Sequence, residues 1–172
     1  MTSATDPLTL VLVGPMAAGK TSVGRRVARR LSVPFIDTDK RIVAAHGPIP
    51  MIFAEHGEPH FRELERAAVA AALSEGGVIS LGGGAVTDAG TRALLRQHPV
   101  VFLTVSADAV ADRIRGGSRP LLAGEDPVDR WIRIFEERRD WYDEVASTTF
   151  DTSRRPMQRI ADEIVAWRRE QR

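Results

Sequence analysis

The sequence predicts an α/β fold: a parallel sheet with helices on both faces, in one domain. Two observations carry that expectation. Short, unbroken apolar runs of the kind that doubly covered strands show alternate with segments whose apolar residues recur at helical spacing. The 172 residues, 43% hydrophobic and 27% charged, contain no internal repeat and no low-complexity linker, so they suit a single domain spanning 1–172 with a sizeable core. The elements follow in order.

The run Leu10-Val11-Leu12-Val13 is the first strand, and it enters Gly14-Pro15-Met16-Ala17-Ala18-Gly19-Lys20-Thr21. These eight residues match G-x-x-x-x-G-K-T, the Walker A loop, and Ser22 with the residues to Leu31 continues at helical spacing. A buried strand thus feeds a tight loop that opens a helix. Backbone N–H groups and the helix N-terminus there favour an anion. Lys20 would reach the β- and γ-phosphates of a nucleotide, and the Thr21 hydroxyl would ligate Mg²⁺. The alternative is an ordinary glycine-containing turn, which the flanking strand and helix disfavour. Ala17 stands where this loop often carries glycine, so the expectation is a negative φ at Ala17.

A short second strand over 33–36 ends in Asp37-Thr38-Asp39. Strand alternation would put Asp37 and Asp39 on one side, at the carboxyl end of the sheet beside the loop. A Mg²⁺ or substrate role competes there with an acidic N-cap for the next helix. From 40 to 75 the pattern is helical, broken at Gly47-Pro48, Pro50 and Gly57. The last helix begins near Pro59 with Phe61, Leu64, Ala68, Ala71 and Ala72 toward the core. Arg62 and Glu65, three apart, would form a solvated ion pair. His56 and His60 have a metal-compatible spacing, but Pro59 argues against one helix carrying both.

The third strand, 77–81, ends in Gly82-Gly83-Gly84, where the backbone can approach a ligand closely. A helix over 88–97, a strand over 100–105 and a short helix through Arg113 follow. The basic, glycine-bearing stretch 113–120 fits either a mobile lid over phosphates or a solvated surface loop. A helix over 128–142 carries Arg130, Arg133, Arg138 and Arg139. A fifth strand at 148–151 precedes an amphipathic helix, 157–172, that buries Ile160, Ile164 and Trp167. Trp131 and Trp141 are expected to be packing residues.

Composition narrows the function classes. A net charge of +1, with acidic residues interleaved among the arginines, argues against nucleic acid and against a membrane surface. Absence of cysteine excludes disulfides and thiolate metal sites. The leader before the first strand carries no positive charge and does not look like a secretory signal, and no apolar run approaches the ~20 residues of a membrane span. The expectation is a soluble, cytoplasmic protein, with nothing calling for more than a monomer.

Taken together, these pieces resemble the shikimate kinase family. The resemblance covers almost the whole chain. It rests on 14–21, Phe35-Ile36-Asp37-Thr38-Asp39, Ile52-Phe53, Gly57-Glu58 leading to Phe61-Arg62-Glu63-Leu64-Glu65, Leu81-Gly82-Gly83-Gly84, Arg119-Pro120-Leu121-Leu122, and Arg138 with Tyr142. The resemblance implies a P-loop kinase fold with sheet order 2-3-1-4-5, a substrate-binding insertion at about 39–66 and a lid at about 113–126. It implies transfer of the γ-phosphoryl of ATP, with Mg²⁺, to the 3-hydroxyl of shikimate. By that likeness Asp39 holds the ring hydroxyls and takes the reacting proton, and Arg62 and Arg138 hold the carboxylate. Gly83, flanked by Gly82 and Gly84, touches the substrate, and Glu65 belongs to the same group. Gly14, Ala17, Ala18, Gly19, Lys20, Thr21 and Ser22 hold the nucleotide, Asp37 supports Mg²⁺ through water, Arg119 reaches the phosphates, and Arg113 and Arg155 contact the adenine end. The sequence departs from the family at Ala17 and Ala18, at Val43 and at Asp140, and each insertion is about one residue short. A kinase for another polyol acid such as gluconate and a low-turnover nucleotide-binding module are the competing functions.

Overall fold

The computed structural model describes residues 8–115 and 125–171. Strand β1 (Thr9–Val13) is buried along its whole length because it is covered on both faces and paired on both edges. It therefore carries an unbroken apolar run. Strand β3 (Gly77–Ser80) pairs with it on one side and β4 (Val100–Thr104) on the other. The short edge strands are β2 (Phe35–Asp37) beside β3 and β5 (Thr148–Asp151) beside β4, both less deeply buried. All pairings are parallel, and the order is β2-β3-β1-β4-β5, as the resemblance implied.

Residue alternation along β1 splits the core in two. Leu10 and Leu12 face helices α1 (Lys20–Leu31) and α8 (Met157–Glu170), packing with Val23, Val27, Ile160 and Ile164. Val11 and Val13 face the opposite layer, made by α4 (Glu58–Glu75), α5 (Ala89–Leu95) and α7 (Pro127–Val145) through Val69, Leu95, Tyr142 and Val145. A smaller cluster, Ile42, Ile52 and Phe61, binds α2 (Thr38–His46) and α3 (Ile49–His56) to α4. This is the core of the predicted insertion. Helix α6 (Ala107–Arg115) follows β4.

Several expectations need correction. Strand β2 stops at Asp37, whose carboxylate accepts the Lys40 N–H and caps α2, so Asp39 lies in the first turn of a helix. The alternation argument for Asp37 and Asp39 therefore fails, although both reach the same cleft. Pro50 sits at the start of α3 and breaks nothing. On α4 the buried positions are Phe61, Glu65, Val69, Ala72 and Leu73, while Ala71 is exposed. A single 3₁₀ turn, Ala85–Thr87, precedes a shorter α5, and α7 is longer than expected at both ends. Trp167 is half-buried. Of the predicted lid, 113–115 completes α6 and Asp126 caps α7 by accepting the Val128 N–H. Arg119 and the rest of 116–124 lie outside the described residues.

Candidate active site

The carboxyl ends of β1, β2 and β3 open onto one cleft of about 740 Å³. Lys20, Thr21, Ser22, Asp37, Asp39, Gly82 and Gly83 line it together. Its floor is the phosphate loop, and the decisive feature there is the fate of the carbonyls. An anion-binding loop must keep its carbonyl oxygens engaged elsewhere. Lys20 Nζ donates to the Gly14 and Pro15 carbonyls at 2.7 and 2.9 Å. Trp131 Nε1 donates to Met16 at 2.8 Å, Arg113 Nη1 to Ala17 at 2.5 Å and Thr152 Oγ1 to Ala18 at 2.7 Å. Every carbonyl from 14 to 18 thus accepts a side-chain hydrogen bond.

Ala17 sits at φ 64°, against the expectation of a negative value. The loop needs a left-handed residue at that point, which explains why glycine is common there, and here an alanine bears the cost. Lys20 opens α1, and burial lowers its ammonium pKa from 10.5 to about 8. Asp39 and Asp37 act in the opposite sense, and Arg138 adds to the lowering. A lysine so placed gains from any anion brought to the loop. The Ser22 hydroxyl oxygen accepts from Arg26 at 2.6 Å.

In the same cleft, burial and then the neighbouring Asp37 raise the Asp39 pKa, while Lys20 and Arg62 oppose the rise. Arg62 Nη1 donates to Glu65 at 2.6 Å. The pair is not solvated as expected: the Glu65 side chain is 1% exposed and that of Arg62 14%. Burial raises the Glu65 pKa and the Arg62 hydrogen bond counters it. Arg62 also bonds Glu58 and lies over the Phe61 ring.

The three glycines divide their tasks. A Cβ on Gly82 would lie 2.6 Å from an Asp39 carboxylate oxygen, and one on Gly84 would lie 2.5 Å from an Arg62 nitrogen. Those two glycines make room for the Asp39 and Arg62 side chains. At Gly83, alone of the three, a Cβ would make only ordinary van der Waals contacts: it would meet the Gly14 oxygen and the Met16 nitrogen at 3.6 Å and Arg138 Nη1 at 3.8 Å. The Tyr142 hydroxyl donates to the Gly83 carbonyl at 2.5 Å, and burial pushes its pKa up to about 12.

Of the residues expected at the adenine end, Arg113 is committed to the Ala17 and Thr152 carbonyls, and Arg155 pairs with Glu163. His56 and His60 stand with rings 4.8 Å apart on separate helices, and the described residues hold no group of three or more metal-ligating side chains. No helix among the described residues is long and apolar enough to cross a membrane. Sequence reasoning missed the anchoring roles of Trp131, Tyr142 and Thr152. The one available signal was that a buried Trp or Tyr needs a partner for its polar end.

Comparison with known proteins agrees with this geometry. The family model described as "Shikimate kinase" matches residues 16–169. A shikimate kinase of Corynebacterium efficiens is 45% identical, covering 91% of this chain and 94% of that protein. One from Saccharopolyspora erythraea is 48% identical, covering 90% of each. The structure of shikimate kinase from Acinetobacter baumannii in complex with shikimate superposes with a TM-score of 0.86 at 35% identity, covering 96% of this chain and 95% of that one. A phosphate loop, a facing set of Asp39, Arg62 and Arg138, and relatives of this similarity along nearly the full chain lead to one conclusion: the chain belongs to the shikimate kinase family.

Proposed function

We infer that this chain transfers the γ-phosphoryl group of ATP to the 3-hydroxyl of shikimate. The observation that carries the reading is the pairing of two chemistries across one cleft. A phosphate loop with Lys20 and an acidic acceptor, Asp39, line it together, and two guanidinium groups stand beside them: Arg62 acts on Asp39, and Arg138 Nη1 would lie 3.8 Å from a Cβ on Gly83. A small polyol acid needs that second set: planar guanidinium forks for its carboxylate and an oxygen acceptor for its hydroxyls.

In the reaction the attacking hydroxyl oxygen forms a bond to the γ-phosphorus. The bond from that phosphorus to the β,γ-bridging oxygen breaks, and ADP leaves. Asp39 takes the hydroxyl proton, a role its raised pKa suits. Lys20 sets its positive charge against the transferring group, and the resemblance assigns Arg119 the same task. Arg62, braced by Glu65, and Arg138 hold the acceptor carboxylate, and the Gly83 backbone flanks the ring. Hard oxygen donors on Thr21 and Asp37 in one cleft suit Mg²⁺, which when bound neutralises phosphate charge.

The test is ADP release coupled to a reporter over a panel of hydroxy acids that includes shikimate and gluconate. The expected result is turnover with shikimate well above every other acid. Equal or greater turnover with gluconate would assign a different acceptor, and no turnover with any acid would favour a nucleotide-binding module.

A further inference from the structure

We propose that Trp131 is a positioning residue for the nucleotide: its indole N–H fixes the Met16 carbonyl and so sets the direction of the next peptide N–H in the phosphate loop. The peptide unit is planar and trans, so its C=O and N–H point in opposite directions. Trp131 Nε1 holds the Met16 oxygen at 2.8 Å from the core side. The Ala17 N–H of the same peptide must then point away from the indole, where Met16 and Ala17 line the cleft. This peptide needs such a hold. Ala17, at φ 64°, is in a region that crowds the Cβ of an alanine, and a turned peptide would relieve it.

Trp131 itself is rigidly placed. It is 7% exposed and stacks on Phe135 with ring centres 5.1 Å apart. Phe135 and Tyr142 are 6.3 Å apart, and Tyr142 stacks on Phe102 of β4 at 5.1 Å. Trp131, Phe135, Arg138 and Tyr142 follow one another at steps of four, three and four residues, one stripe along α7. The stripe grips the phosphate loop at Met16 with its first residue and the glycine turn at Gly83 with its last. Those backbone segments are neighbours: a Cβ on Gly83 would lie 3.6 Å from the Met16 nitrogen. One helix therefore sets both halves of the site, and Trp131 sets the nucleotide half.

The proposal rests on the kinase reading only for its acceptor arm; the nucleotide arm needs no acceptor. Trp131→Phe keeps a six-membered aromatic ring for the stack on Phe135 and removes the donor along with the pyrrole portion. Calorimetric titration of ADP into this variant is expected to show affinity about three- to tenfold below wild type, the loss of one neutral hydrogen bond. Shikimate affinity measured without nucleotide is expected to stay within about twofold, because the Tyr142 hydroxyl still holds the Gly83 carbonyl. Tyr142→Phe removes the other anchor of the same helix and is expected to leave ADP affinity within about twofold. The indole ¹H–¹⁵N signal that disappears in Trp131→Phe should shift when ADP is added to wild type. Unchanged ADP affinity in a folded Trp131→Phe overturns the proposal, as does a parallel loss of ADP and shikimate affinity, which marks a packing role. Weaker ADP binding in Tyr142→Phe also overturns it. Wild type that binds ADP with this pattern yet fails to phosphorylate shikimate would leave the proposal standing and refute the acceptor instead.

Discussion

Two adjacent alanines of the phosphate loop should respond to glycine with opposite signs. Ala17 is held at φ 64°. There an L-residue loses about 1–2 kcal/mol to the crowding of its Cβ, and glycine loses nothing. Glycine also widens the unfolded ensemble, which costs about 0.4–1 kcal/mol. The balance favours Ala17→Gly by about 1 kcal/mol, or about 2–4 °C in Tm for a chain of this length. Ala18 differs on both counts. It is not among the residues with positive φ, and it is 0% exposed in the cluster with Val23 and Val27. Ala18→Gly loses a buried methyl worth about 0.8 kcal/mol and adds the same unfolded-state entropy, a destabilisation of about 1–2 kcal/mol. Urea unfolding of both variants without ligands, with the slope unchanged from wild type, reads the two signs directly. ADP affinity of Ala17→Gly should be retained, because Trp131, Arg113 and Thr152 still hold the carbonyls of 16–18. A destabilised Ala17→Gly would refute the reasoning from backbone conformation.

Lys20 gives a pH signature. Its folded-state pKa of about 8 lies below the 10.5 of an exposed lysine, so between these values the unfolded chain holds a proton that the folded chain has released. The burial cost is full below pH 8 and is relieved as pH rises to 10.5. The stability of wild type relative to Lys20→Met should therefore climb by about 3 kcal/mol over that range, as urea midpoints would show; a flat difference would contradict it. Asp39→Asn should lower kcat by about 10²–10⁴-fold while ADP affinity holds, and a loss confined to ADP binding would assign Asp39 to the nucleotide. Arg62→Lys should weaken shikimate about ten- to a hundredfold in direct titration and leave ADP alone, since lysine keeps the charge without the planar fork. Unchanged shikimate affinity would remove Arg62 from the carboxylate clamp.

What the sequence made legible was what the chain must do locally and on both sides. From Leu10 to Val13, β1 had to be apolar at every position because two helical layers cover it, so that run stood out. The phosphate loop stood out because glycine, lysine and threonine are each demanded at a fixed place between that strand and α1. Along α4, by contrast, the search for apolar periodicity passed over Glu65. A charge that is 1% exposed looks like a solvent-facing residue until its partner, Arg62, is seen beside it. At Asp37 the same side chain that ends the strand caps the helix, so an alternation argument carried past it misjudged Asp39.

The anchoring contacts were illegible for a more general reason. A carbonyl oxygen is the same acceptor on every residue, so no residue type at 16, 17, 18 or 83 announces that Trp131, Arg113, Thr152 and Tyr142 will bond there. Motifs describe the side chains a site uses; these contacts act through the backbone from up to 134 positions away. The glycine run makes the same point from the other direction. From sequence, three glycines suggest a ligand pressed against the main chain, yet two of them admit the protein's own Asp39 and Arg62. Small residues in such a turn therefore define where charged side chains lie as much as where a ligand could lie, and the arrangement of Asp39 and Arg62 depends on Gly82 and Gly84 no less than on the charges themselves.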